Sequence, residues 1–241
     1  MSGLVLRLAA PLQSWGEHSA FANRDTLRHP TRSGLIGLLA AAEGVQRGRP
    51  LSAYDDLRFT VRIDRPGVPL VDFHTIGGGL ERSVPTAEGG QRSRETATMV
   101  TRRHYLSDAV FTVAIEGPRT AELAQALRNP RWHPFLGRRS CPPDQPMLLC
   151  ADAVDPVADL EQRVPIARPP RNRGVDFVVE GVAKGAAAVT ELADVPETFS
   201  RYDRRYRTRS VSMITRDIPQ ELHVTGVDYW EALAAYMGVA S

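Results

Sequence analysis

Residues 29–42 read His-Pro-Thr-Arg-Ser-Gly-Leu-Ile-Gly-Leu-Leu-Ala-Ala-Ala, a polar turn that runs without a break into an apolar segment rich in Gly and Ala. No other stretch constrains the fold so firmly. Leu35 to Ala42 is the longest apolar run of the chain. It falls well short of the roughly 20 residues of a membrane helix, so it reads as a core helix over about 33–44. Gly34 and Gly37 let another chain segment pack closely on it. The start of such a helix directs unpaired N–H groups and the positive dipole end at one point, with Arg32 beside it. That is the chemistry of a phosphate site, and equally that of an ordinary N-capped core helix.

With 241 residues the chain is long enough to bury a substantial core, as one larger domain or two small ones. The net charge of +2 is unevenly spread: residues 1–150 hold 19 Arg against 14 acids, and residues 151–241 hold 11 basic residues against 14. The basic half is the candidate for binding an anionic partner. All basic side chains but Lys184 are arginine, which suits phosphate forks and base stacking but also follows from a GC-rich genome. Cys141 and Cys150 are too few for a disulfide framework, and the six histidines show neither CxxC nor HxxxH spacing. No metal and no cofactor is therefore expected. No basic N-terminal region leads into a signal-type apolar stretch, so a cytoplasmic protein without a membrane partner is expected.

Gly3 to Ala10 alternates Leu4, Leu6 and Leu8 against Val5, Arg7 and Ala9, the pattern of a buried strand. The helix at 33–44 follows, then an alternating strand over Leu57 to Asp64. Residues 65–102 are rich in Gly, Thr, Ser and Arg and too long for a plain loop, so they read as an extended hairpin or a segment that orders on binding. Tyr105 to Glu116 is the clearest strand; a helix over Thr120 to Leu127 and a strand over Met147 to Ala153 come next. This order fits an α+β fold, a ferredoxin-like (RRM-type) βαββαβ domain over 1–153. Residues 154–241 read as a small, mostly-β C-terminal subdomain with strands at Val175–Glu180 and Ser210–Ile214 and a closing helix at Tyr229–Met237.

Four polar segments sit beside these elements. In Pro11–Gly16, Trp15 either stacks a base or fills the core. The helix-start turn is the second. The excursion holds Arg82, Arg92, Arg94, Arg102 and Arg103 among threonines, either solvated or in contact with nucleic acid. Leu136–Pro143 offers Arg138, Arg139 and Ser140 in one turn, suited to a phosphate or to an exposed surface. Farther on, residues 201–209 interleave Tyr and Arg as a single-strand platform does. Signals for enzymatic chemistry are poor: the chain has no phosphate-loop, GxSxG or HExxH motif.

Taken in order, Leu6–Gly16, Pro30–Leu39, Asp72–Thr75, Glu95-Thr96, Tyr105–Ala114 and Leu136–Pro142 resemble the CRISPR-associated CasD family, the fifth-Cas subunit of type I-E Cascade. The resemblance implies a non-catalytic subunit that grips the 5′ handle of the crRNA and caps the backbone filament. It also implies a protruding β-hairpin thumb, placed at about 75–103, and contact with a backbone subunit of CasC type, a large subunit of CasA type and, through the complex, target DNA. Motif placement then assigns Gln13, Trp15, Thr31, Arg32, Ser33, Arg138, Arg139 and Ser140 to the handle. His74, Arg92, Arg94, Arg102 and Arg103 fall to the thumb. The alternative, from related fifth-Cas subunits of type I-C, is a metal-independent endoribonuclease acting on repeat RNA through a Tyr/Lys/His group. His104-Tyr105 keeps that reading open, and the remote position of the single Lys184 argues against it.

Overall fold

The computed structural model describes residues 3–17, 22–77, 90, 98–167, 174–200 and 204–239. In chain order its elements are β1 (Gly3–Ala9), β2 (Leu12–Gln13), β3 (Asn23–Arg24), α1 (Arg32–Glu43), β4 (Arg58–Arg65), β5 (Val68–Ile76), β6 (Met99–Ser107), β7 (Val110–Glu116), α2 (Thr120–Arg128), β8 (Leu148–Ala153), α3 (Pro156–Gln162), β9 (Ile166–Ala167), β10 (Gly174–Glu180), β11 (Ala188–Phe199), β12 (Arg204–Asp217), β13 (His223–Val224) and α4 (Gly226–Tyr236). Seven strands form the main sheet in the order β11-β12-β10-β4-β7-β1-β8, every neighbouring pair antiparallel.

The alternation in β1 shows how two faces are built from one strand. Leu4, Leu6 and Leu8 join the core beneath α1 and α2, with Phe59, Val61, Phe111 and Val113. Val5 points the other way, into a second core with Ala114, Phe177, Ile214, Leu160 of α3 and Tyr229 and Leu233 of α4. A central strand covered on both sides is buried along its whole length, as β1 is.

The segment after 154, set apart in sequence as a small subdomain, is continuous with this sheet. β10 pairs with β4 from Phe177↔Arg62 to Val179↔Thr60, and β12 and β11 extend the sheet outward. β11 escapes a sequence reading because it is polar and contains Pro196, both tolerated on an edge strand.

Tyr105–Glu116, read as one strand, is two. The chain turns at Asp108, whose φ is 57°, so β6 leaves the main sheet and β7 enters it. β6 pairs along its length with β5, from Val68↔Ser107 to Ile76↔Met99, while its other edge takes β2 and β3. This hairpin exposes Val68, Leu70, Val71, Phe73 and Val100.

The second face is fastened by Arg62, which is fully buried. Its guanidinium forms a fork with Asp64 (Nε–Oδ1 2.6 Å) and donates to the carbonyls of Leu160, Val164 (2.8 Å) and Pro165 (3.1 Å). One carbonyl of the last turn of α3 and two just beyond it thereby find donors inside the sheet. Thr112 Oγ1 donates to Asp64 Oδ2 at 2.6 Å, the oxygen that also accepts from Arg62 Nη2 at 3.2 Å. Removing one member of a buried pair strands the other's charge. Arg62→Ala is expected to lower unfolding free energy by about 3–5 kcal/mol. The double variant Arg62→Met/Asp64→Leu should lose clearly less, and urea denaturation of both reads the difference.

Candidate nucleic-acid interface

Thr31 caps α1, its Oγ1 accepting the Gly34 N–H at 3.2 Å. The next free N–H, that of Arg32, donates to Asp194 Oδ2 at 2.7 Å. Asp194 also receives a fork from Arg209, with Nε–Oδ1 2.6 Å and Nη2–Oδ2 2.9 Å. The anion expected at this helix start is thus a carboxylate of the chain itself. The Arg32 side chain points inward, to Glu180 (2.7 Å) and the carbonyls of Leu57, Tyr54 and Asp55. Both terminal nitrogens of its guanidinium are committed there, so Arg32 serves as a fastener. Arg209 Nη1 lies 3.1 Å from Glu180 Oε1 and closes the ring.

Gln13 and Trp15 have the same fate. Gln13 Nε2 donates to the carbonyls of Leu8 (3.1 Å) and Ala109 (2.8 Å), and Oε1 accepts the Trp15 indole N–H at 3.1 Å. With its amide fully used and 0% of the residue exposed, Gln13 has no donor left for RNA. Trp15 packs on α1 at Gly34, where a Cβ would lie 2.7 Å from the ring. Of the two functions open to Trp15 in sequence, the structure gives it the core.

The turn after Phe135 lies against this segment. Ser14 N–H donates to the Leu136 carbonyl at 3.1 Å. Gly137, at φ 85°, approaches so closely that a Cβ there would fall 1.5 Å from the Ser14 carbonyl oxygen. Arg138 Nη2 donates to the Arg24 carbonyl at 2.9 Å, and its guanidinium lies 4.5 Å from the centre of the Tyr105 ring. Arg139 and Ser140 are exposed. Cys141, next in the chain, is buried, and burial pushes its thiol up.

These segments wall a cleft of about 810 Å³ that Thr31, Ser33, Arg138 and Arg139 line in part. Arg47, Arg49 and Arg204 add cationic heads, Trp132, Phe135, Phe199 and Tyr206 add rings, and Glu17 and Asp25 are its acids. Arg204 and Tyr206 come from the interleaved Tyr/Arg run, which therefore meets the N-terminal motifs in space. Arg47, Arg49 and Trp132 carry no motif, and only their place after α1 and after α2 brings them here. The thumb candidates lie elsewhere, on the hairpin: His74 Nδ1 is 3.3 Å from Asp72, Arg102 is exposed, and Arg103 Nε donates to Thr101 Oγ1 at 3.3 Å. Arg92 and Arg94 fall outside the described residues. Among the described residues no three or more His, Cys, Asp or Glu side chains are grouped to hold a metal ion.

A model of the family described as CRISPR-associated protein (Cas_Cas5) matches residues 3–212, from β1 into β12. The chain belongs to this Cas5 family. It is 41% identical over 182 residues to the CRISPR system Cascade subunit CasD of Escherichia coli (strain K12), covering 68% of this chain and 78% of that protein. It is also similar to a chain solved as part of a CRISPR RNA-guided surveillance complex, with 49% identity, a TM-score of 0.90, and coverage of 98% of this chain and 99% of that one. A second solved chain, described as a Cas protein, is 32% identical with a TM-score of 0.65, over 93% of this chain and 98% of its own length.

In this Cas5 chain the cleft's walls impose two testable demands. Gly137→Ala should cost about 3 kcal/mol or more, from the strained φ and the clash with Ser14 together, measured by urea denaturation. His29 titrates beside the ring that holds α1. Burial lowers its pKa below the ordinary 6.5, with Arg209 adding to the effect and the Pro30 carbonyl, Asp194 and Glu17 opposing it. Its Nδ1–H donates to the Pro30 carbonyl at 3.2 Å. Because the folded pKa is the lower one, this contribution to stability is complete above pH ~6.5 and is lost as pH falls toward the folded value. Between about pH 8 and about pH 5, His29→Gln should therefore lose less stability than the wild type.

Proposed function

We propose that this chain is the non-catalytic RNA-binding subunit of a type I-E CRISPR Cascade surveillance complex. It grips the 5′ handle of the crRNA and caps the backbone filament, serving antiviral defence in the cytoplasm. The observation that carries this reading is the cleft itself, where five arginines and five aromatic rings, drawn from segments as far apart as residues 15 and 206, line one space. Single-stranded RNA is held by that combination: guanidiniums follow the phosphates and rings receive unstacked bases. The names of the relatives, a Cascade subunit and a chain of an RNA-guided complex, favour the same partner class.

The handle contacts under this reading are Ser33, Arg138, Arg139 and Ser140 from the motifs, with Arg47, Arg49, Arg204 and Tyr206 added. Gln13 and Arg32 support the wall from behind, and Trp15 and Thr31 form part of it. The order β8-β1-β7-β4, with α1 and α2 as its two crossovers, supports a ferredoxin-like core. The β5–β6 hairpin supports a thumb, and its exposed Val71 and Phe73 suit packing on a backbone subunit of CasC type. A large subunit of CasA type and target DNA complete the assembly in this reading.

The nuclease alternative is the weaker one on the placement of its candidates. Tyr105 is buried beneath Arg138, the His104 ring lies 3.0 Å from Asn23 Oδ1, and Lys184 is exposed in the connection between β10 and β11. Labelled repeat RNA and mature guide RNA, incubated with the protein in EDTA, separate the readings on paired native and denaturing gels. A shift that requires the 5′ handle, with the RNA intact, is expected. Cutting at one repeat position would make the protein a processing nuclease. In the same assay Arg139→Ala plus Arg47→Ala should weaken handle binding and reduce the salt slope by about 0.7 for each phosphate no longer neutralised. An unchanged slope would remove both residues from the interface.

A further inference from the structure

We propose that Trp132 is the base-stacking platform at the α1 end of the cleft, receiving one unpaired nucleobase of a single-stranded RNA. The inference rests on the RNA-binding reading above and names a contact within it.

Two tryptophans line the cleft, and they differ sharply: Trp15 is 1% exposed, whereas Trp132 is 44% exposed. Trp15 has its indole N–H satisfied and its ring packed, so it has nothing to offer a ligand. Trp132 presents an indole, the largest side chain type in the sequence, to a space that five arginines also line. An aromatic face left in a cationic cleft suits a planar, apolar-faced group carried on an anionic backbone, which is what a nucleotide is.

The ring also stands on a fixed base. Trp132 N–H donates to the Ala41 carbonyl at 3.2 Å, which also accepts the Gly44 N–H, and Arg131 N–H donates to the Ala42 carbonyl at 2.8 Å, so two carbonyls at the end of α1 anchor this loop. The Arg131 stem packs over Gly44, the left-handed residue that closes the helix, where a Cβ would lie 2.6 Å from Arg131 Cγ. A platform tied to a helix end gives up little freedom when a base settles on it. Arg47 and Arg49, which line the same cleft after α1, supply charge for the flanking phosphates.

The chain has three tryptophans, which makes the test direct. Trp15 is buried, and Trp230 belongs to α4, which covers the other face of the sheet. Titrating the full chain with a short single-stranded RNA of its cognate 5′-handle sequence should quench tryptophan emission, and Trp132→Phe should abolish most of that quench while keeping most of the affinity. Trp132→Ala should raise Kd by about five- to 100-fold, the range for removing one base stack, with its thermal unfolding within a few degrees of wild type. The same sequence closed into a duplex should not quench. The inference is overturned if wild type binds the single strand but Trp132→Ala binds it equally well. It is likewise overturned if the quench persists in Trp132→Phe. If wild type fails to bind handle RNA at all, the RNA-cap reading itself falls and takes the platform with it.

Discussion

Arg32, Asp194, Arg209 and Glu180 form a closed ring of charge between the start of α1 and the three outermost strands of the sheet. Asp194 and Arg32 are buried, so the ring is stable only because each charge meets an opposite one and the remaining hydrogens find carbonyls. The rest of the architecture follows from it. With α1 held against β10, β11 and β12, the Phe199 ring faces Gly37, 3.9 Å from where a Cβ there would stand, and Arg204 and Tyr206 reach the N-terminal motifs. The pairing of β10 with β4 sets the place of the last strands in the sheet, and the ring ties the start of α1 to them.

Arg62 does on the opposite face what Arg32 does on this one. Each is a buried guanidinium that binds one carboxylate and then the carbonyls that end a neighbouring segment. Five donors in a flat fork allow this, whereas an ammonium would leave several of those carbonyls open. Arginine usage that looks like a compositional bias therefore includes two structural fasteners.

The strand and helix positions were largely legible because alternation and apolar runs are local properties. α1, β4, α2, β8 and β10 fall within a residue or two of their expected limits. The break at Asp108 was not legible, since a positive φ at a non-glycine residue leaves no mark on the hydrophobic pattern. The site was legible by motif and not by side chain. A Thr-Arg-Ser turn at a helix start carries the chemistry of a phosphate site, but Asp194, 162 residues farther on, already occupies it. Gln13 looks like a polar contact until its amide is seen spanning Leu8 and Ala109. Conversely, Arg47, Arg49 and Trp132 join the cleft only because helix ends place them there.

The ring also sets a schedule. Synthesis delivers α1 well before Asp194 and Arg209, so the cleft's wall stays incomplete until β11 and β12 follow. Pairings this distant along the chain form late in folding as well. A chain that ends short of β12 thus carries its N-terminal motifs without the wall that Arg204 and Tyr206 complete.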